Sequence, residues 1–397
     1  MSQNAYLIES LAPLVFRSGK PFGSIASAQD ATFPLPSATA GLIRAMTIEQ
    51  NDGVYADFKQ NLKNADYQKI LSIRSKGPFL VRFDPANIND YTILAAKPAN
   101  ALYFENKLDK KTYLVRLAPQ AFDLDQCGSD LPNGLLPVQM QKNLKGKPQS
   151  GVSYWTLDHF LAWQQGTELS FEQVEKEGLK SLPIDIRTHL KIDEKTLSNE
   201  DGKLFQTASL DLNHTISTDR EQKAGLKWQT DRYGFVVFTQ EMLTKDIATL
   251  GGERRLSYFK PVKNADLLKP KADLLEKINQ VNGFSLSLLT PAIFSQGYLP
   301  TWINKDTLQG KLPDSDVMVK LVAVAIDRWL PVSGWDSIVW KPKATRKAVS
   351  AGSVYWFELL TPMNQQTLER LWGQSLADHT QDKADGFGVA IVSPWNI

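Results

Sequence analysis

The stretch ADLLEKINQVNGFSLSLL, residues 272–289, decides the fold class, because two hydrophobic periods meet in it across one turn signal. Leu274, Leu275, Ile278 and Val281 share one helical face, and Gly283 follows as a stop. Phe284, Leu286 and Leu288 then alternate with Ser285 and Ser287, the period of a strand. A helix that hands over directly to a strand argues against all-α and all-β architectures.

Working outward, the same periods predict further strands at 5–11, 70–73, 79–83, 102–105, 112–117, 204–212, 233–239, 320–326, 354–360 and 389–392. Helices are predicted at 37–46, 156–165 and 364–372. Ser37 is read as the N-cap of the first, behind Pro34 and Pro36; Gly166 and Gly373 stop the other two. The charged run 168–180 reads as surface. With fewer and shorter helices than a doubly wound sheet needs, the class is α+β. A length of 397 residues suggests two compact α+β units, divided as 1–200 and 201–397.

Composition removes several functions. Lys plus Arg number 45 against 43 Asp plus Glu, a net charge of +2, so bulk coating of nucleic acid is excluded while a local basic groove is not. The single Cys127 can form neither an internal disulfide nor a CxxC zinc site and points to a reducing compartment. Apolar runs such as 321–326 fall far short of the ~20 residues of a membrane span. Near the N-terminus, Glu9 and Arg17 flank a short apolar stretch unlike a secretory signal, so a cytoplasmic location is expected.

His159, His189, His214 and His379 are scattered; no zinc-protease, GxSxG or Walker motif occurs, so neither a metal nor another cofactor is expected. Binding signals are stronger. Arg17, Lys20 and Phe22 sit among glycines between a strand and a helix, the parts of a phosphate-and-base contact or of a decorated surface loop. In the helix that follows, Ser37 and Thr39 offer hydroxyls near the N-terminus, Arg44 lies one turn below, and Gly41 costs ~1 kcal/mol relative to Ala. That glycine implies close approach by a strand or by a ligand. Gly251, Gly252, Arg254 and Arg255 form a glycine-rich cationic turn ahead of Tyr258, Phe259 and Lys260. Residues 337–357 contain no acid while Lys341, Lys343, Arg346 and Lys347 cluster near Trp335 and Trp340, as in a nucleic-acid or protein contact. Gly386, Phe387 and Gly388 make either a tight turn or a loop whose amides meet phosphate.

In order and spacing these segments resemble one family, the third subunit of the Cmr effector, a RAMP protein of type III-B CRISPR-Cas complexes. The resemblance runs through LAPLVFRSGKPF (11–22), PLPSATAG (34–41), HLKI (189–192), GKLF (202–205), LGGERR (250–255), LTPA (289–292), GWD (334–336), AGSVY (351–355) and GFG (386–388). It departs from the commonest wording at Arg17-Ser18, where Arg-Asp is frequent, and at 194–198, where a Thr-Gly-rich stretch is usual. The resemblance implies two tandem ferredoxin-like, RRM-related domains with long loop insertions and no catalytic activity. It further implies a role in antiviral defence inside a ribonucleoprotein: gripping the 5′ repeat-derived tag of the CRISPR RNA (crRNA) and touching the large polymerase/cyclase subunit and neighbouring RAMP backbone subunits. The competing reading is a RAMP endoribonuclease that processes CRISPR precursor RNA with His189 as general base.

Overall fold

A computed structural model of the chain describes residues 4–16, 32–51, 65–122, 128–141, 145–193, 195–213, 232–263, 269–336 and 341–395. None of their helices is long and apolar enough to cross a membrane. Packing gathers the chain into two compact units, each drawn from three separate stretches. The first takes Met1–Tyr91, Leu182–Lys263 and Pro331–Arg346; the second takes Thr92–Ser181, Asn264–Leu330 and Lys347–Ile397.

At the centre of the first unit is the strand Asn4–Ser10. It pairs antiparallel with Arg232–Thr239 on one side and Leu256–Val262 on the other. Ser75–Asp84 extends the sheet beyond Arg232–Thr239, and Ile247–Thr249 extends it beyond Leu256–Val262. Numbered along the chain, Asn4–Ser10, Ser75–Asp84, Arg232–Thr239 and Leu256–Val262 therefore stand in the order 4-1-3-2, and Asn87–Ala96 continues the sheet beyond Ser75–Asp84. Ala5, Tyr6, Leu7 and Ile8 are all buried, so both faces of the central strand are covered. A continuous apolar run is what such a strand requires. The helix Pro36–Gln50 packs against Ser75–Asp84 with Ala40, Ile43 and Met46 inside. Burying a side chain the size of Ile43 or Met46 contributes ~1.5–3 kcal/mol. Ile184–Ile192 and Asn199–Leu210 form a separate two-stranded ribbon, on which Ile184, Ile186, Leu190 and Ile192 share one face and stay exposed.

The second unit repeats the strand order. Gly283–Leu288 pairs antiparallel with Val354–Leu359 and with Val389–Pro394, and Val354–Leu359 pairs in turn with Met318–Ala325. Along the chain this is again 4-1-3-2. The helices differ in place: the first unit carries Pro36–Gln50 and Ala65–Leu71 after its first long strand, whereas the second carries Gln365–Leu371 and Thr380–Asp385 after its third. Residues 92–181 add a small module to the second unit. There Trp155 and Trp163 meet edge to face at 5.7 Å, and the Trp155 indole N–H donates to the Tyr103 hydroxyl at 2.6 Å. Ala99, Leu136 and Val138 of this module cover the sheet face carrying Val354 and Trp356. That cover explains why Ser285 and Ser287, the polar side of the alternation, are buried.

Four local expectations are corrected. The first helix begins at Pro36 behind Leu35, so Ser37 lies in its first turn and is not the cap. Residues 70–73 are not a strand, because the helix Ala65–Leu71 runs into them and strand begins at Ser75. Part of the run 168–180 is a helix, Phe171–Glu177, with a Ser170/Gln173 capping box and Val174 fully buried. Asn282, at φ 55°, makes the left-handed stop after Leu274–Val281, and Gly283 already belongs to the strand.

Candidate nucleic-acid interface

The glycine-rich turn of the first unit is built by close backbone approach. The strands Ile247–Thr249 and Leu256–Val262 are joined through it, with the Leu250 amide donating to the Arg255 carbonyl at 2.9 Å. The Gly252 amide donates to the Val15 carbonyl at 2.8 Å. Gly251 has φ +78°, and a Cβ there would stand 2.6 Å from the same carbonyl oxygen, so only glycine fits. The segment from Leu11 is pinned at three points: Leu11 to Leu256, Leu14 to Leu210 and Val15 to Gly252. Next in sequence after Phe16 is Arg17; Arg17, Lys20 and Phe22 lie outside the described residues.

Glu253 and Arg254 adopt φ of 59° and 52°, a left-handed backbone that costs non-glycine residues ~1–2 kcal/mol each. Arg254 is exposed and has no hydrogen-bond or ion-pair partner among the described residues. Arg255 instead donates to the Glu253 carboxylate at 2.6 Å, which neutralises it. Lys260 and Arg232 are also committed: both bind the buried Glu9 carboxylate, at 2.6 and 2.8 Å. Burial pushes the Glu9 carboxyl up, but the hydrogen bonds and charges of Lys260 and Arg232 outweigh it and hold the group below its ordinary range.

Gly41 is exposed on the first helix, and a Cβ built on it meets nothing within 4 Å. No strand therefore requires its missing side chain. Thr39 is fully buried and its hydroxyl donates to the Pro36 carbonyl at 3.1 Å, turning inward. Arg44 is buried too, with its guanidinium donating to the Ile73 carbonyl at 3.0 Å. Of the four residues singled out on this helix, Ser37 and Gly41 keep accessible surface suited to an outside group.

In the acid-free stretch, Arg346 and Lys347 open the strand Arg346–Val349 and are exposed; the Lys347 ammonium lies 5.2 Å from the ring centre of Trp329, which is 57% exposed. Trp335 is also exposed, and Trp340 lies outside the described residues. Trp329, absent from the sequence reading, is the aromatic that Lys347 meets.

Gly386, Phe387 and Gly388 are a correction. Their three amides donate to Lys383, Asp382 and Pro291 carbonyls, and Phe387 is 1% exposed. No amide is left for a phosphate and no ring face for a base. The glycines serve the turn itself: φ is +91° at Gly386 and +75° at Gly388, where a Cβ would approach the Ala377 amide to 2.9 Å. His189 is exposed on the ribbon, its Nε2 2.9 Å from the Thr207 hydroxyl. Among the described residues no group of three His, Cys, Asp or Glu could hold a metal ion.

A family model described as CRISPR-associated protein (Cas_Cmr3) matches residues 6–395. The chain belongs to the Cas_Cmr3 family. It is thereby a type III-B Cmr effector subunit. Among solved structures, this Cas_Cmr3 chain is similar to a chain in the cryo-EM structure of the type III-B Cmr-beta bound to cognate target RNA and AMPPnP, at 14% identity and TM-score 0.47, covering 89% of this chain and 86% of that one. The Cmr-beta structure bound to cognate target RNA alone gives 15% identity and TM-score 0.45 over 89% and 86%. The crystal structure of the Csm3-Csm4 subcomplex of the type III-A interference complex gives 13% identity and TM-score 0.36 over 99% and 100%. No curated protein matches the chain.

Proposed function

We propose that this Cas_Cmr3 chain is a non-catalytic RNA-binding subunit that holds the 5′ repeat-derived tag of the crRNA, with the large polymerase/cyclase subunit and neighbouring RAMP subunits as protein partners. One observation carries the reading: the cationic turn at 251–255 is docked on Val15 and Phe16, the residues that lead into Arg17, and presents Arg254 without a partner among the described residues. The segment from Leu11 to Phe16, which leads in sequence to Arg17, is thereby held at the sheet edge that carries this turn. Exposed backbone, an unneutralised guanidinium and glycines suit a single strand of RNA held by its phosphates. The repeated 4-1-3-2 order supports a tandem ferredoxin-like description of the two units.

The test is binding of repeat-derived tag RNA across a salt series. Arg254→Ala is expected to weaken binding and to reduce the slope of log K against log salt by ~0.7. An unchanged slope would make the turn surface decoration. Incubation with repeat RNA decides the nuclease alternative, since cleavage that disappears in His189→Ala would replace this reading.

A further inference from the structure

The module at 92–181 carries a cationic hairpin tip of its own. Its strands Ala101–Asn106 and Thr112–Pro119 are joined by the turn 106–111, and Gly146–Pro148 lies alongside the first of them. The Lys107 amide donates to the Lys145 carbonyl at 3.0 Å, and Lys147 stands opposite Glu105. Two stretches distant in sequence thereby bring Lys107, Lys110, Lys111, Lys145 and Lys147 to one end of one sheet. All five are exposed, and none makes an ion pair among the described residues. Lys245, Lys260, Lys277 and Lys311, by contrast, each meet a carboxylate. At the apex of the turn Leu108 is 89% exposed, the most exposed large apolar side chain among the described residues.

The tip is shaped in advance. Asn106 Oδ1 accepts from the Leu108 amide and Asp109 Oδ1 from the Lys111 amide, both at 3.0 Å. The Asn106 backbone closes the turn twice, donating to the Lys111 carbonyl and accepting from the Lys110 amide. Lys110 adopts φ 59°, where glycine or asparagine is the usual choice, so the turn holds a cation at a position that backbone geometry alone would give to another residue. The carboxylates nearby are engaged. Asp109 also accepts from the Tyr113 hydroxyl at 2.5 Å, and Glu105 accepts from the Gln149 carboxamide at 3.4 Å. Glu172 acts on Lys111 through charge, with no ion pair between them. Five lysines against three carboxylates leave the tip cationic.

A rigid tip with an aliphatic apex flanked by lysines sets two requirements on whatever covers it: negative charge for the ammonium groups and an apolar depression for Leu108. An RNA strand meets the first but leaves the leucine in water, and neither stretch of the tip contains an arginine to clasp a phosphate with two bonds. We propose that the tip docks on an acidic protein surface of another subunit of the assembled effector, with Leu108 seated in an apolar depression and the lysines facing carboxylates around it. Leu108 then supplies the desolvated area, while the lysines at the rim steer association and make it sensitive to salt. The inference rests on the protein-partner half of the proposed function and not on tag binding.

The test uses the full chain in the assembled effector, treated with a carbodiimide that joins lysine amines directly to carboxylates in contact with them, and read by mass spectrometry. Links from the tip lysines to Asp or Glu of another subunit are expected. Links only to Glu105, Asp109 or Glu172 of this chain would overturn the proposal, as would photocrosslinks from the tip to RNA without any link to another protein. Leu108→Asp and the double variant Lys107→Glu/Lys145→Glu should each weaken incorporation into the effector by about tenfold. The changed side chains are exposed, so the melting temperature of the free chain should not move. Lys107→Arg/Lys145→Arg keeps the charge and should assemble as the parent does. Incorporation indifferent both to charge reversal and to Leu108→Asp would overturn the proposal. A chain that still enters the effector with no interprotein link at the tip removes this surface and leaves the proposed function standing, whereas a parent chain that joins no other subunit removes both.

Discussion

Arg254 and Arg255 are neighbours in sequence with different electrostatic fates. Glu253 neutralises Arg255 at 2.6 Å, whereas Arg254 faces no carboxylate among the described residues. Tag-RNA binding should therefore fall more in Arg254→Ala than in Arg255→Ala, measured side by side at one salt concentration; the reverse order would reassign the contact. Composition makes the two arginines equal, and only the turn geometry separates them. Glu9 gives a second prediction at this scale. Its folded pKa lies below the ordinary carboxylate value of ~4.3, so its ion pairs stabilise the fold above that pH and the contribution is lost as pH falls through the lower folded value. Glu9→Gln should cost about 2 kcal/mol at neutral pH, with a difference from the parent that shrinks in urea melts taken toward pH 3. A difference constant with pH would mean that Glu9 contributes by packing.

Two glycines that look alike in sequence are predicted to respond oppositely at the level of the element. Gly251→Ala puts a methyl 2.6 Å from the Val15 carbonyl in a left-handed backbone, so the turn must open and thermal stability should drop. Gly41→Ala meets open space, so helix propensity should stabilise the isolated chain by ~1 kcal/mol. Under the proposed function the same change weakens RNA binding; a variant both more stable and fully binding would strip Gly41 of that role. The helix Phe171–Glu177 carries a weak signal in the sequence. Ser170 and Gln173 stand at capping-box spacing, and the single inward residue Val174 is too little apolar signal to outweigh the charges around it. Ser170→Ala should cost ~1 kcal/mol in equilibrium unfolding, and no change would show that tertiary contacts alone hold this helix.

For the whole molecule, the exposed cations from Lys341 to Lys347 and the exposed Trp329 and Trp335 predict slower amide exchange across 341–347 in the assembled effector than in the free chain. Equal exchange in both would mark this stretch as an idle surface. The sequence by itself determined the local periods: the central strand at Asn4–Ser10, the helix-to-strand passage at 272–289 and the α+β class all follow from neighbours two to four residues apart. It also determined the family, because ordered motifs survive along the chain. Tertiary structure alone decided which distant strands pair, such as Asn4 opposite Thr239, and so gathered each unit from three separate stretches. It alone buried Phe387 and left Arg254 with no carboxylate partner among the described residues. The physical reason is that burial and charge pairing depend on partners hundreds of residues away, about which local period and composition carry no information.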